Sequence, residues 1–532
     1  MPISVKHFFL SFTFFCVHAI WGQNDFIQGQ LLDSNTSKPV VFATIRIEGK
    51  ALGVISNQDG GFRLPLKFKD EGDTLIVSSM GYERKRIAML DLSQDELNII
   101  KLTPGVIKLK EVVLSKKQKR RGPLSAKSIV RKAIQAIPKK FPRHPSSVIG
   151  YYRDYQFSER KYVNLNEAIL EVFDLGFQKL DNLNTKVQIY DKKQNFDFKR
   201  DTISDNKYGD DENYMKIINN AYLFDYGGNE FVILRVHDAI RNYKIDSYDF
   251  VNQLETDLIK NHFFRKLEDT YIDEEELYTI RMNKTFFGYK VSGLLYISKQ
   301  DFAIHKLKYT VYENFGLRSK RRNKKEKDQK LFFEIITEYQ RADDGKMYLN
   351  YISFHNDFML IEPPEFEVDA IRWLGTCQCF EVRFNKYIDT SSAGDLNNYD
   401  WTFKGKKVKF NEVVVFDNAV RLFPDFDAET LKNMSVLLSS KKKNPDGSNK
   451  HLKTKVLNIR DRGLKYELGK NKHRDFQQFR EFFVQRINAS KEPPKDKNTF
   501  MNKTKPIFED QPVTKPTDFD NYWMNTPLKS RQ

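Results

Sequence analysis

Histidines and carboxylates are the residues of this chain best suited to metal or acid–base chemistry. None of the nine histidines begins an H-x-x-E or H-E-x-x-H pattern, which would place two zinc ligands one helical turn apart. His305 and His355 lie singly in segments with strand patterns, where ordinary sheet residues are expected. The sequence therefore predicts no zinc peptidase site, and no cofactor of any other kind.

Serine and paired-carboxylate chemistry leave one enzymatic alternative. The chain has no G-x-S-x-G elbow, and Ser158–Lys161 fits S-x-x-K without the companion motifs of that enzyme class. Asp425 and Asp427, in FPDFD, could form the carboxylate pair that glycosidases need. A carboxylate-dependent hydrolase of glycans or peptides, with its site in residues 124–440, is thus the alternative to a binding protein.

Two cysteines follow the N-terminal leader, Cys377 and Cys379 in GTCQCF. In a strand they would point to the same face, and a bridge between them would strain the backbone. Two buried thiols are the expected state, and a metal-binding pair is the alternative. We expect no disulfide framework in the mature protein.

The stretch NQDGGFRLPL resembles a metal loop in composition but not in spacing. A calcium loop aligned on Gly60 would place Ile55 and Leu66 at ligand positions, and both are apolar. The stretch instead predicts a tight hairpin with glycines at positive φ, after which the chain returns to the core. The residues of this fold-defining turn are Asp59, Gly60, Gly61 and Phe62.

The N-terminus indicates export. Lys6 precedes the apolar run FFLSFTFFCVHAIWG, so residues 1–22 are interpreted as a cleaved signal peptide. No later segment approaches 18 apolar residues, so no transmembrane span is expected in the mature chain. The formal net charge is +17, and export excludes nucleic acid as the natural partner of this charge. We expect a protein of the periplasm or one associated with the outer membrane.

Residues 24–103 predict a small β-sandwich. Seven short strands, in FIQGQLL, ATIRIE, LGVIS, FRLPL, TLIVSS, ERKRI and NIIKL, are separated by Gly, Asp, Asn and Pro. In order along the chain, this region carries Gly29, Leu31, Asp33, Thr36, Pro39, Ala43, Thr44, Ile47, Gly49, Gly53, Asn57, Asp59, Gly60, Phe62, Leu64, Asp73, Leu75, Gly81 and Tyr82. With this set of residues it resembles the carboxypeptidase-regulatory-like domain, a transthyretin-like fold common at the front of exported Bacteroidetes proteins.

Behind a basic linker, residues 104–123, we expect a larger α+β domain over residues 124–440. Ser125 is a candidate N-cap for a helix with one apolar face that ends at Pro138. YYR and NEAILEVFD resemble a region found behind the regulatory-like domain in exported Bacteroidetes proteins. Four long aromatic-rich strands between about 285 and 390 resemble the open half-barrel of periplasmic lipoprotein carriers and sensors. Overall the fold class is mainly β with some α.

One basic segment interrupts the predicted sheet, RSKRRNKKEKDQK, and a solvated loop is its plain interpretation. The functional interpretation is contact with an anionic lipid or envelope glycan. Its candidate contact residues are Arg318, Lys320, Arg321, Arg322, Lys324 and Lys325.

Residues 441–532 are polar and basic, and we expect partial disorder there. Within them DFQQFREFFVQRI predicts an amphipathic helix over residues 475–487. Its apolar face would comprise Phe476, Phe479, Phe483 and Ile487.

These patterns favour an exported, non-enzymatic cell-envelope protein that acts in binding or assembly. Its partner would be an outer-membrane protein, a lipid or an anionic envelope glycan. A second alternative to the hydrolase is an accessory or assembly factor for an outer-membrane barrel protein.

Overall fold

Three β-rich units make up the structure: an N-terminal sandwich, a large antiparallel sheet, and a smaller unit inserted between two strands of that sheet. The proposed signal peptide, most of the linker and the basic segment Arg318–Lys330 lie outside the described residues. The computed structural model describes residues 26–50, 52–105, 124–196, 198–201, 204, 215–217, 229–243, 258–286, 289–313, 331–362, 364–439, 451–524 and 527–529.

The N-terminal unit confirms all seven predicted strands. They form two sheets, of order β4–β1–β7 and β3–β2–β5–β6. Alternate side chains of β1, among them Ile27 and Leu31, are fully buried between the sheets, as the period of two requires. The elements are β1 (Phe26–Asp33), β2 (Thr44–Ile47), β3 (Gly53–Ile55), β4 (Gly61–Pro65), α1 (Lys67–Asp70), β5 (Thr74–Ser78), β6 (Lys85–Ala88) and β7 (Asn98–Leu102).

The predicted turn at Asp59–Gly60 exists, but the predicted hairpin is wrong. The side chain of Asn57 accepts hydrogen bonds from the backbone N–H groups of Asp59 (2.8 Å) and Gly61 (2.7 Å), and Gly60 has φ +72°. Strand β3 pairs with β2, whereas β4 pairs with β1 in the other sheet. The turn is therefore a corner between two sheets. Phe62 enters the core as expected, with 1% of its surface exposed.

The large sheet is antiparallel and follows the order β10–β9–β8–β26–β18–β17–β16–β15–β14–β12. The four long strands predicted between residues 285 and 390 are confirmed as β15 to β18, and Gly345, at φ +73°, turns the chain between the last two. The strands of the large sheet are β8 (Ser146–Ser158), β9 (Lys161–Asp174), β10 (Lys186–Gln194), β11 (Met215–Ile217), β12 (Phe263–Lys266), β13 (Thr270–Ile272), β14 (Glu275–Phe286), β15 (Tyr289–Ser298), β16 (Ile304–Glu313), β17 (Leu331–Arg341), β18 (Met347–Glu362) and β26 (Lys472–Asn488).

Strand β26 replaces the amphipathic helix predicted over residues 475–487, and that prediction is wrong. The strand lies between β18 and β8 in the middle of the sheet. Phe482 packs on one face and Phe483 on the other, so both faces are apolar and the alternation typical of a half-exposed strand is lost. The phenylalanine spacing matched a helical period without a helix being present.

Helices cover one face of the large sheet, which we call the helix face. Helix α2 confirms the Ser125 N-cap, whose Oγ accepts from the N–H of Ser128 at 3.2 Å, but the helix includes Pro138 in its last turn. Among the described residues, no helix is long and apolar enough to cross a membrane. The α-helices after α1 are α2 (Ala126–Lys140), α3 (Asp181–Asn184), α4 (Glu230–Val236), α5 (Leu258–Asn261), α6 (Thr390–Gly394) and α7 (Ala428–Ser439).

The opposite face, the sandwich face, carries the N-terminal unit. Ile149, Tyr151, Tyr351 and Phe483 of the large sheet join the apolar core of the sandwich, and Phe42 stacks on Tyr351 at 4.7 Å between ring centroids. The central strands are therefore buried on both faces.

The inserted unit lies between β18 and β26 and has a core of its own, which includes Trp401 and Phe380. The expected single domain 124–440 is thus divided by this insertion. Cys377 and Cys379 form a disulfide there, contrary to the expected thiols, because Gln378 adopts φ +50° and bends the chain. The strands of the inserted unit are β19 (Val368–Leu374), β20 (Cys379–Phe384), β21 (Thr402–Phe403), β22 (Lys406–Lys407), β23 (Phe410–Val415), β24 (Ala419–Pro424) and β25 (Leu452–Lys453).

The C-terminal segment beyond β26 packs on the other units, so the disorder expected there is wrong for its described part. The N–H of Thr514 donates to the carbonyl of Ile189 on edge strand β10. Trp523 is 6% exposed, and the centroids of its ring and the Phe68 ring are 5.9 Å apart. Its Nε1–H donates to the carbonyl of Arg63 at 3.2 Å. Burial of the Trp523 ring therefore holds this segment against the sandwich although the composition of the segment is polar.

Trp523→Ala should lower the free energy of unfolding by about 3–5 kcal/mol, because it leaves a cavity between the sandwich and the C-terminal segment. Urea unfolding of the full chain measures this change. Phe263→Ala is the matched control, since that ring is 81% exposed, and its effect should stay within about 0.5 kcal/mol. Equal effects of the two substitutions would contradict the anchoring role.

Removal of the insertion should leave the large sheet intact. Glu362 of β18 is paired directly with Lys472 of β26, so an Asn-Gly turn in place of residues 363–471 can close the two strands. We expect the shortened protein to unfold cooperatively and residues 364–471 to fold alone, since their apolar cores are separate. Circular dichroism and chemical denaturation of both fragments test this, and loss of structure in either would refute it.

Candidate functional site

An apolar pocket lies between helix α2 and the large sheet. Its space free of protein atoms is about 370 Å³ when the open mouth is included, but the enclosed part is about 10 Å³, which is room for about one water molecule. Its floor comes from β14, β15 and β16, and its roof comes from α2, α5 and the turn after α4. The lining residues are Val130, Ile134, Ala239, Ile240, Leu258, Met282, Leu295, Ile304, Leu307 and Tyr309.

The apolar stripe of α2 explains the position of the roof. Ile129, Val130, Ala133 and Ile137 recur at the helical period and are buried against the sheet. Ile134 lies beside this stripe and is only partly buried, so it borders the pocket rather than filling it. The apolar pattern of α2 thus accounts both for the packing of the helix on the sheet and for the apolar residues that the helix contributes to the pocket.

Ion pairs hold the C-terminal end of α2 on the sheet. Lys140 lies 2.9 Å from Asp301, which also pairs with Arg341, and Lys346 donates to the carbonyl of Lys139 at 2.8 Å. Burial opposes ionisation of Asp301, but Lys140 and Arg341 outweigh it and lower the pKa of that carboxyl. The carboxylate is therefore charged at neutral pH, and this end of the roof stays attached.

Buried arginines position the turn that supplies Ala239 and Ile240. Arg235 donates to Asp181 at 2.5 Å, and Arg241 donates to Asp174 at 2.6 Å. Burial opposes ionisation of Asp181, yet the two arginines lower the pKa of its carboxyl. The guanidinium groups are fully engaged by these acids, so the cluster fixes the turn instead of receiving a ligand.

Tyr309 has the one hydroxyl among the residues that line the pocket, and this hydroxyl contacts His262. His262 Nδ1 lies 3.2 Å from the carbonyl of Leu258, which can only accept, so Nδ1 carries the proton. Nε2 of the neutral ring then accepts from the Tyr309 hydroxyl at 2.9 Å. Both polar groups are satisfied by each other, and the remainder of the lining is hydrocarbon and the Met282 thioether.

The arrangement suits binding rather than catalysis. Among the pocket's lining residues none is an acid, a base or a nucleophile other than the engaged Tyr309. A hydrolase of the carboxylate type needs two acids flanking the reacting bond. The pocket can instead remove an apolar group from water, which is worth about 0.8 kcal/mol for each methylene.

The predicted histidines lie apart from this pocket. His305 Nε2 lies 3.3 Å from Glu275, and His355 stacks on Phe479 with ring centroids 3.9 Å apart. In the part of the chain that the structure describes, no group of three His, Cys, Asp or Glu residues could hold a metal ion.

The two predicted carboxylates and the predicted turn residues also lie outside the lining of the pocket. Asp427 accepts a hydrogen bond from the N–H of Thr430 at the start of α7 and is exposed, as is Asp425. The turn residues Asp59 to Phe62 belong to the sandwich. Sequence reasoning identified the apolar face of α2 but not the pocket, because the floor residues are indistinguishable from core residues.

The N-terminal unit matches a known family. Residues 27–114 match the family model described as the CarboxypepD_reg-like domain. No curated protein matches the chain.

Solved structures give weak similarities only. A LolA superfamily protein from Nitrosomonas europaea is 14% identical over 44% of this chain and 86% of its own, with a TM-score of 0.20. The MucA/MucB complex of Pseudomonas aeruginosa gives 8% identity over 58% of this chain and 96% of the matched chain, with a TM-score of 0.15. Scores this low support no inference. The family match stands by itself: this chain carries a carboxypeptidase-regulatory-like domain at its N-terminal end.

Proposed function

We propose that this protein is an exported, non-enzymatic envelope protein that binds an apolar ligand, such as an acyl chain, beneath helix α2. The observation that carries the proposal is the hydrocarbon lining between the sheet, α2 and α5, where an acyl chain would be accommodated by outward movement of α2. A ligand with a polar head would place its chain in the pocket and its head at the mouth. The periplasm is the compartment that fits the leader sequence.

The regulatory-like domain has a structural role in this proposal. It covers the sandwich face of the large sheet and leaves the helix face for the ligand. The hydrolase alternative gains no support, since Asp425 and Asp427 are exposed between β24 and α7 of the insertion and do not line the pocket.

Filling the pocket should abolish ligand binding. In Ile134→Trp the larger ring would occupy the space beside Leu295 and Tyr309, and should weaken binding of cis-parinaric acid at least tenfold, or about 1.4 kcal/mol. The fluorescence of this fatty acid rises when it leaves water, so titration of the full mature chain gives the dissociation constant directly.

Leu183→Trp is the matched control, because Leu183 is 75% exposed on α3 and lies outside the pocket. It should bind the fatty acid as the unmodified protein does, and both variants should retain their melting temperature. Failure of the unmodified protein to bind, or equal binding by Ile134→Trp, would refute the proposal.

A further inference from the structure

Six lysines lie in and beside the small three-stranded sheet of the inserted unit, which has the order β22–β21–β25, and Lys406, Lys407 and Lys453 are within its strands. All six are exposed. We call this surface the lysine sheet, and it comprises Lys404, Lys406, Lys407, Lys409, Lys453 and Lys455.

The lysine sheet is built on a fixed scaffold. Beneath it Trp401, Phe403 and Val408 are buried in the core of the insertion. Backbone hydrogen bonds tie its strands together, from Lys404 N–H to the carbonyl of His451 at 2.7 Å and from Val408 N–H to the carbonyl of Trp401 at 2.9 Å. The lysines are therefore presented together by ordered backbone, unlike charges on an unstructured tail.

The tip of the lysine sheet is a two-residue hairpin turn. Lys404 and Gly405 join β21 to β22, and both have positive φ, at +44° and +79°. Such a turn matches the right-handed twist of the paired strands and projects from the sheet. The positive charge thus lies on a protruding edge and not in a recess.

Two exposed carboxylates border the six lysines: Asp400, whose N–H donates to the carbonyl of Lys455 at 2.9 Å, and Asp425, whose N–H donates to the carbonyl of Lys409 at 2.8 Å. Lys407 lies 3.5 Å from the exposed Asp400, and this is the one ion pair that the described residues give to the six lysines. An exposed pair of this kind contributes little. Elsewhere on the protein some lysines have closer partners, for example the partly buried Lys50 with Asp73 at 2.7 Å.

We propose that the lysine sheet is a docking surface for a membrane that contains anionic lipids, with the ammonium groups beside the phosphates of the headgroups. Lysine is a compact point charge, whereas arginine provides the planar fork that selects a single phosphate geometry. Six lysines and no arginine on a protruding edge fit a broad negative surface better than one bound ion. Each lysine should contribute about fivefold to membrane partitioning.

The lysine sheet holds no exposed aromatic ring on which a sugar could stack, because Phe403 is 6% exposed. A soluble anionic glycan is therefore the less suitable partner. The proposal does not depend on the apolar pocket, since the pocket lies under α2 and the lysines lie on the insertion.

Co-sedimentation of the full mature chain with vesicles tests the proposal. Vesicles of phosphatidylcholine and phosphatidylglycerol should bind the protein, vesicles of phosphatidylcholine alone should not, and added salt should weaken binding. Replacing four lysines, Lys404→Gln, Lys406→Gln, Lys407→Gln and Lys453→Gln, should lower the partition coefficient at least tenfold.

The control variant loses the same charge at scattered exposed positions, through Lys127→Gln, Lys193→Gln, Lys495→Gln and Lys497→Gln. It should stay within about twofold of the unmodified protein. Equal losses in both variants would assign binding to net charge, and no loss in the first would assign it to another site such as Arg318–Lys330. Either result overturns the proposal, as would displacement by inorganic phosphate but not by chloride at equal ionic strength, or binding to an anionic polysaccharide without binding to vesicles.

Discussion

Burial of the central strands on both faces is the constraint on which the rest of the structure depends. Strands β8, β26 and β18 are covered by helices on one face and by the regulatory-like domain on the other. Neighbouring residues such as Tyr351 and Ile352 therefore belong to two different cores. A sheet of this kind cannot be stable without its sandwich, because the apolar residues of its second face would contact water.

A polar layer gives this apolar interface its register. Arg153 pairs with Glu481 at 2.7 Å, with both side chains almost fully buried, and the Tyr351 hydroxyl donates to the same carboxylate. From the sandwich, Arg46 donates to Asn350 at 3.1 Å, and burial lowers the pKa of Arg46 to about 10. Removing one partner of the buried Arg153–Glu481 pair, which lies within the large sheet, would cost several kcal/mol. The Arg46–Asn350 contact crosses from the sandwich to the sheet and disfavours any other placement of the sandwich.

The sequence was most informative where one face of an element meets water. The seven sandwich strands, strand β15 and the stripe of α2 were predicted correctly from such a pattern, and β15 alternates clearly between buried and partly exposed residues. Strand β26 has apolar residues on both faces, so its period was lost and a helix was inferred. The Asn57 to Gly61 turn shows a second limit, since local residues specify a tight turn but not which strands it joins.

The candidate site depends more than the individual strands and helices do on contacts between residues that are far apart in the sequence. Ile134 belongs to a recognisable helical face, yet the pocket beside it forms only because β16 and the turn at Ala239 approach from distant parts of the chain. Apolar residues at a pocket and in a core have the same composition, so no motif separates them. The lysine sheet was missed for a related reason. Its lysines are divided between residues 404–409 and 453–455, and only the pairing of β21 with β25 brings them together.

For the proposed apolar ligand, the same double burial determines the route of entry. The sandwich face is filled by the regulatory-like domain and by Trp523, so entry through it would require undocking of a whole domain. On the helix face, the C-terminal end of α2 is attached by the Lys140–Asp301 pair, whereas the described residues give its N-terminal end the local Ser125 cap. Opening at the N-terminal end would separate Ile129 and Val130 from the sheet, at a cost of about 1.5–3 kcal/mol for each side chain fully exposed. An apolar ligand that replaces those contacts offsets this cost, and the attached end preserves the position of the helix when the ligand leaves.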